Sequence, residues 1–150
     1  MEIQTKVMGT VDVPDSNMLT IPDGLFGFEE YTQFALVESG CVPFYWLQSA
    51  ENADLAFIIV DPFLICPEYE TDIDDDVLAR IGISAPEDIA VMTIVTVPRD
   101  GSPVTANFQG PLVINRSNGK CMQVILSDSR WTTKVDIAAS LKSGRGRATC

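Results

Sequence analysis

The run IAVMTIVTV, residues 89–97, is the stretch of sequence that decides the fold. Its residues are β-branched almost throughout, and Val, Ile and Thr fit the pleated surface of a sheet. Pro98 and the pair Asp100-Gly101 follow it and provide a turn. We therefore expect residues 89–97 to form the central strand of a sheet.

The segments around this strand also have the sequence features of β-strands. Residues 112–115 and 121–126 flank a loop that contains Asn118-Gly119, and Asn-Gly between two apolar runs is a strong signal for a β-hairpin. Short segments rich in Val, Ile, Thr, Phe and Tyr recur between turn residues, which is typical of an all-β domain. The further predicted strands are residues 3–7, 18–21, 31–37, 44–48, 55–60 and 131–137.

One short helix is predicted between residues 71 and 82. Thr71 or Asp72 can cap its start, three aspartates at 74–76 complement the positive end of its dipole, and Gly82 can end it. Residues 84–87 have the spacing of a capping box and predict a second helical turn. We expect an all-β, mainly antiparallel fold, a small, partly open β-barrel-like domain with one or two short helices. We expect residues 1–139 to form this single domain and residues 140–150 to be a flexible C-terminal tail.

Length and composition exclude several classes of protein. The chain has 150 residues, of which 46% are hydrophobic and 21% charged, as expected for one globular domain. It contains no histidine, which excludes Ser-His-Asp triads, Cys-His pairs and His-ligated zinc. The four cysteines form no C-x-x-C pair, and we expect reduced thiols, mostly in the core. The chain has no Walker A or dinucleotide-binding glycine pattern, so neither a cofactor nor a metal is predicted.

Charge is distributed unevenly along the chain. Residues 1–76 hold 16 acidic side chains and one basic, a net charge of −15, whereas residues 77–150 carry +4, which gives −11 in total. Nucleic-acid-binding proteins neutralise phosphates with clustered Lys and Arg, so we expect no direct nucleic-acid binding but attraction to a basic protein. The start MEIQTK lacks the features of a signal peptide, and no apolar run is long enough to span a bilayer. We therefore expect a cytoplasmic protein with no membrane partner.

The most acidic segment supports three interpretations. Its carboxylates are Glu68, Glu70, Asp72, Asp74, Asp75 and Asp76. A calcium site needs several carboxylate oxygens, but an EF-hand loop from Asp72 would need glycine and glutamate where Val77 and Ile83 stand. A solvated helix N-terminus is the second interpretation, and an acidic docking patch for a basic partner is the third. A catalytic pair of carboxylates from distant strands also stays open.

Three blocks of sequence resemble one protein family. The first block is IPDGLFGFE at residues 21–29, followed by Phe34 and Leu36. The second and third blocks comprise residues 43–44, 47–49, 57, 60–62 and 67–69, and then residues 105–108, 111–115 and 123–126. In this order and spacing, across about residues 3–137, they resemble the bacterial flagellar assembly factor FliW family. The chain departs from the family pattern at Phe26, where proline is frequent, at Phe108, where leucine is common, and at Trp131, where tyrosine is usual.

The resemblance implies a partner-switching regulator and not an enzyme. FliW-type proteins bind newly made flagellin in the cytoplasm and also bind CsrA, a small dimeric RNA-binding repressor of flagellin translation. Abundant flagellin occupies the FliW-type protein and leaves CsrA free to repress, whereas export of flagellin releases it to antagonise CsrA. Flagellin synthesis is thereby coupled to export. The alternatives are a dedicated flagellin chaperone without a CsrA role, or a carboxylate-based metal-binding or enzymatic barrel.

Within this interpretation we assign two sets of binding residues. The CsrA-binding set is the six carboxylates between Glu68 and Asp76, chosen for their charge density. The flagellin-binding set is Phe44, Asn107 and Phe108, where the family motifs mix aromatic and amide groups. A structural role is the alternative for the second set, with both phenylalanines in the core and Asn107 holding a turn. The oligomeric state and any overlap of the two sites stay open.

Overall fold

The computed structural model describes residues 1–138, so the predicted tail at 140–150 and the predicted domain boundary at 139 lie outside the described residues. Residues 1–138 form eleven β-strands, one α-helix and three short 3₁₀ turns. The strands are β1 (Glu2–Gln4), β2 (Thr10–Asp12), β3 (Met18–Thr20), β4 (Gln33–Glu38), β5 (Tyr45–Ser49), β6 (Ala56–Val60), β7 (Ile89–Thr96), β8 (Thr105–Ala106), β9 (Leu112–Asn115), β10 (Cys121–Gln123) and β11 (Val135–Asp136). The helix α1 is Asp75–Arg80, and the 3₁₀ turns are Asp15–Asn17, Pro62–Leu64 and Pro86–Asp88. No helix among the described residues is long and apolar enough to cross a membrane.

Nine of the strands form one sheet. Its main path runs in the order β10-β9-β7-β6-β5-β4-β3, with β8 and β11 beside it, while β1 and β2 pair separately. All of these strand pairs are antiparallel. Strand β7 pairs along one edge with β6 and along the other with β9 and then β8. The predicted central strand is therefore confirmed.

The two ends of this sheet meet at one point. Thr20, at the end of β3, forms a parallel bridge with Lys120, and its N–H donates to the carbonyl oxygen of Gly119 at 2.9 Å. Gly119 has a φ of +74°, and a Cβ atom there would lie 2.7 Å from the carbonyl oxygen of Met18, so only glycine fits. The sheet is therefore curved, because its two ends come together at this bridge. It is not a closed barrel, because among the described residues only this isolated bridge, and no continuous strand pairing, joins the ends of the sheet at β3 and β10. The expected all-β, mainly antiparallel fold with a few short helices is confirmed.

The predicted hairpin is formed by β9 and β10. The Gly119 N–H donates to the carbonyl oxygen of Asn115 at 2.8 Å within the turn. The side-chain amides of Asn115 and Asn118 both donate to the carbonyl oxygen of Ile81, at 2.8 and 3.0 Å. Ile81 directly follows α1, where carbonyl groups lack helical partners, so these bonds satisfy the helix end and fix it against the hairpin.

Several boundaries differ from the sequence prediction. The first strand ends at Gln4 instead of residue 7, the hairpin's second strand ends at Gln123 instead of residue 126, and the strand predicted at 131–137 is reduced to Val135–Asp136. The helix begins after Asp74, so neither Thr71 nor Asp72 caps it. The predicted capping box leads into a 3₁₀ turn that has no capping side chain. Strands β2 and β8 were not predicted, because two or three residues are too few to show a period of two.

Two main hydrophobic clusters fill the domain, and one of them supports the surfaces described below. The first includes Phe34 and Leu47. The second, which we call the aromatic cluster, is built around Tyr69, Phe108 and Trp131. The Tyr69 ring centroid lies 4.7 Å from that of Phe108 and 4.8 Å from that of Trp131. Such tilted and edge-on contacts between buried rings are favourable beyond the area that they bury.

Candidate functional site

All six carboxylates predicted to face a basic partner lie on the surface. We call residues 68–76 the acidic segment, and its exposed carboxylates are Glu68, Glu70, Asp72, Asp74, Asp75 and Asp76. The segment is irregular as far as Asp74 and then enters the first turn of α1. Asp75 and Asp76 complement the positive end of that helix. The arrangement fits a solvated helix start, and it also leaves every carboxylate accessible to a partner.

Tyr69 anchors the acidic segment to the core. Its side chain is only 3% exposed, although Glu68 and Glu70 on either side are exposed. The Tyr69 hydroxyl donates to the carbonyl oxygen of Phe108 at 2.6 Å. Burial also raises the pKa of the Tyr69 phenol, so that it stays a neutral donor. The carboxylates are therefore held on a firmly packed base.

Within the described residues, one arginine forms an ion pair with the acidic segment. Arg130 pairs with Asp128 at 2.7 Å and with Glu70 at 3.5 Å, and its guanidinium carbon lies 5.1 Å from the centre of the Trp131 ring. The hydrogen bond from the Arg130 side chain lowers the pKa of the Asp128 carboxyl. Among residues 1–138, no Lys or Arg lies within ion-pair distance of the aspartates at 72 and 74–76. Within residues 1–138, the four aspartates of the segment thus keep their negative charge uncompensated by an ion pair.

The calcium interpretation receives no geometric support. In the described part of the chain, no group of three or more Asp, Glu, Cys or His side chains is placed to share a metal ion. A hard cation such as calcium requires six to eight oxygen ligands around one point. The carboxylates of the acidic segment instead follow an irregular stretch and a helix start.

A hydrophobic cavity of about 320 Å³ opens beside Phe44, and we call it the Phe44 cavity. Phe44 is half-buried, Val97 is 55% exposed, and Ile137 is fully buried. The complete lining is Cys41, Phe44, Ile58, Val95, Val97, Val104, Ile137 and Ala138. Cys41 is disulfide-bonded, so the expectation of a reduced thiol is wrong for this residue. The cavity offers apolar contacts and no charged side chain.

The other two residues predicted to bind flagellin do not line this cavity. Phe108 is fully buried, so it can act on a partner only through the residues packed over it. The Asn107 side-chain oxygen accepts hydrogen bonds from the N–H groups of Gln109 at 3.1 Å and Gly110 at 2.8 Å. Asn107 therefore holds a turn, as the structural alternative expected. Of the three residues, Phe44 is the one that reaches the surface at a cavity.

The acidic segment and the Phe44 cavity rest on the same aromatic cluster. Tyr69 brings the acidic segment to this cluster, and Phe44 packs against it from the cavity. Val95 and Ile137 belong to the cluster and also line the cavity. The two predicted binding sites are therefore distinct surfaces that share one packed interior.

Sequence reasoning did not identify the remaining residues of the cavity. Val95 and Val97 are two positions apart near the end of β7, and this spacing is the signal that places them on one face. Ile58 joins them because it pairs with Val95 across the sheet. Strand register of this kind depends on the tertiary fold, and so the sequence did not disclose the set.

Comparisons with known proteins agree with this architecture. The family model described as FliW protein matches residues 2–137. The flagellar assembly factor FliW of Treponema denticola is 50% identical over 143 residues, 95% of this chain and 97% of the relative. That of Treponema pallidum is 49% identical over 150 residues, which cover both chains completely. A crystal structure of a flagellar assembly factor FliW matches with a TM-score of 0.83 and 34% identity, over 91% of this chain and 96% of that chain. The chain belongs to the FliW family.

Proposed function

We propose that this protein is a flagellar assembly factor that binds flagellin in the cytoplasm and antagonises the translational repressor CsrA. It acts by protein–protein binding and not by catalysis, and it couples flagellin synthesis to export. Membership of the FliW family supports the flagellar role. The observation that carries the CsrA part is the acidic segment, whose four exposed aspartates have no ion-pair partner among the described residues.

Electrostatics explains why such a segment suits CsrA. An RNA-binding repressor must present positive charge to phosphates, so an acidic surface attracts it and speeds the encounter. Once bound, the excess of carboxylates in residues 1–76 repels RNA that approaches within about 8 Å, the screening length at physiological ionic strength. Binding and repulsion together lower the occupancy of CsrA on its message.

Flagellin calls for a different surface. Its terminal segments are helical and apolar before assembly, and such segments dock into hydrophobic grooves. The Phe44 cavity supplies apolar lining with an exposed rim at Val97. We assign flagellin to this cavity, with Phe44 in contact and Phe108 supporting it from the aromatic cluster.

The shared interior offers a route for switching between the partners. A ligand shifts a protein between two states only by the difference in its affinity for them. If flagellin favours one packing of the aromatic cluster and CsrA another, then occupation of the Phe44 cavity weakens binding at the acidic segment. Such coupling is reciprocal, so CsrA weakens flagellin binding by the same factor.

Titration calorimetry with purified flagellin and CsrA from one organism tests this proposal. Each partner is titrated alone and then against protein saturated with the other. We expect both to bind, and we expect flagellin to displace CsrA. Binding of flagellin alone identifies a dedicated chaperone, and binding of neither contradicts the proposal. Hen lysozyme, a basic protein of unrelated fold, is the control for unspecific attraction by charge.

A further inference from the structure

Two hydrophobic side chains stand exposed directly before the acidic segment. Phe63 is 40% exposed and Leu64 is 38% exposed, whereas Pro62 and Ile65 on either side are buried. All four belong to one 3₁₀ turn and the residue that follows it. The turn therefore presents one phenylalanine and one leucine outward while its other side chains hold it to the domain.

Hydrogen bonds hold the backbone of this turn, which lowers the entropic cost of docking a partner on it. The Asp61 carboxylate accepts a hydrogen bond from the Phe63 N–H at 2.9 Å and caps the turn. The N–H groups of Ile65 and Cys66 both donate to the carbonyl oxygen of Pro62, at 3.1 and 2.9 Å. A backbone that is already held in position loses less freedom when a partner binds.

The exposed pair is contiguous with the acidic segment. The Phe63 ring centroid lies 5.6 Å from that of Tyr69. Tyr69 is flanked by the exposed Glu68 and Glu70, and its N–H donates to the carbonyl oxygen of Cys66 at 3.0 Å. The turn that carries the two apolar side chains and the start of the acidic segment therefore meet at the Tyr69 ring, which belongs to the aromatic cluster.

We propose that Phe63 and Leu64 are the hydrophobic anchors of a docking surface that takes a basic protein partner with an apolar patch, and that the exposed Glu68, Glu70 and Asp72, which follow them in the chain, supply its negative charge. The inference rests on the proposed function for the identity of this partner, which is CsrA. Charge complementarity argues against a second copy of this chain as the occupant, because two acidic segments would face each other. The apolar segments of flagellin have the uncharged Phe44 cavity instead.

The two kinds of residue have separable kinetic effects. Charges at an interface act mainly on the association rate and its dependence on salt, whereas buried anchors act mainly on the dissociation rate. Truncation of an anchor at the centre of an interface weakens binding by about tenfold or more. Loss of the anchors therefore accelerates dissociation of CsrA without changing the salt dependence of association.

Surface plasmon resonance with immobilised CsrA at several salt concentrations tests the inference. We expect the double variant Phe63→Ser/Leu64→Ser to dissociate about tenfold faster, with an unchanged salt dependence and unchanged affinity for flagellin. Phe26→Ser is the matched control, because Phe26 is an exposed phenylalanine elsewhere on the domain. Leu64→Ser alone guards against disturbed packing, because Phe63 contacts the Tyr69 ring. Thermal unfolding confirms that each variant is folded.

The outcomes separate this inference from the proposed function. If the unaltered protein binds CsrA and the anchor variants bind it equally well, the inference is overturned while the proposed function stands. If the unaltered protein does not bind CsrA, the CsrA role and this inference fall together. If the anchor variants lose flagellin binding, or if they change the oligomeric state measured by sedimentation, the inference is overturned, because a different partner then occupies this surface.

Discussion

The hydroxyl of Tyr69 donates a hydrogen bond of 2.6 Å to the carbonyl oxygen of Phe108, 39 residues further along the chain. The donor belongs to the segment assigned to CsrA, and the acceptor belongs to the motif assigned to flagellin. Their rings are also in contact, with centroids 4.7 Å apart. A movement of Tyr69 therefore changes the packing of the aromatic cluster beside the Phe44 cavity.

Tyr69→Phe is expected to destabilise the domain by about 1–3 kcal/mol, because the buried carbonyl of Phe108 loses its donor. Tyr45→Phe is the matched control, since Tyr45 is exposed, and its free energy of unfolding should change by less than about 0.5 kcal/mol. Urea unfolding followed by tryptophan fluorescence measures both. Equal stability of Tyr69→Phe and the unaltered protein would show that water or another group replaces the bond.

Charge reversal of Asp74, Asp75 and Asp76 to lysine is expected to weaken CsrA binding about tenfold or more at low salt and to flatten its salt dependence. Flagellin binding should stay unchanged. A binding isotherm at four salt concentrations measures the slope. The control reverses Glu2, Asp15 and Glu38, three exposed carboxylates outside the acidic segment, for the same change in net charge. Similar losses in both variants would mean that net charge, and not this segment, attracts CsrA.

Val97→Asp places a carboxylate at the rim of the Phe44 cavity and is expected to weaken flagellin binding about tenfold or more, because an apolar partner would bury that charge. CsrA binding should change less than about twofold. Val7→Asp is the control, because Val7 is 56% exposed, against 55% for Val97, and does not line the cavity. Unchanged affinity of Val97→Asp for flagellin in calorimetry would exclude the cavity as the flagellin site.

Cys121 predicts a loss of stability at alkaline pH. Its thiol is fully buried at the start of β10, and burial raises its pKa to about 12. Well below about pH 8.5, the ordinary pKa of a cysteine thiol, this thiol is protonated in both the folded and unfolded states. At higher pH the unfolded state loses this proton first, so stability falls by about 1 kcal/mol per pH unit until the folded thiol also ionises.

Cys121→Ala is expected to reduce this slope between about pH 9 and pH 11, as measured by urea unfolding at each pH. Some loss of stability at neutral pH is also expected from the smaller side chain. Cys66→Ala is the control, because the half-buried Cys66 lies outside the sheet and its variant retains Cys121. If the free energy of unfolding of Cys121→Ala falls with pH as steeply as that of the unaltered protein, groups other than Cys121 cause the loss of stability at alkaline pH.

Local signals account for the parts of the fold that the sequence predicted. The β-branched run at 89–97 and Asn118-Gly119 act through neighbouring residues, and they correctly predicted the central strand and the hairpin. The alternation at 131–137 predicted a strand that is too long, because Trp131 packs into the aromatic cluster and does not belong to a strand. Strand β8 is too short to carry any pattern of its own, and its pairing with β7 holds it in place.

The candidate site was accessible to sequence reasoning only in part. Charge density correctly placed the acidic segment on the surface, because uncompensated carboxylates are seldom buried. The contact between Tyr69 and Phe108 and the pairing of Ile58 with Val95 join distant segments, and no local pattern encodes them. The exposure of Phe63 and Leu64 was not predicted, because an apolar side chain gives no local indication of its exposure.

The bridge between Thr20 and Lys120 limits how early the chain can fold during its translation. A ribosome adds residues in order, so β3 emerges about a hundred residues before the Gly119 carbonyl that it needs. Strand β7 likewise leaves the ribosome before its partner β9 has been synthesised. Pairing between such distant segments folds slowly, and a nascent chain that stops before the hairpin has no complete sheet. The sheet can therefore be completed only after the hairpin of β9 and β10 has been translated, so the first functional copy of the protein appears late in its synthesis.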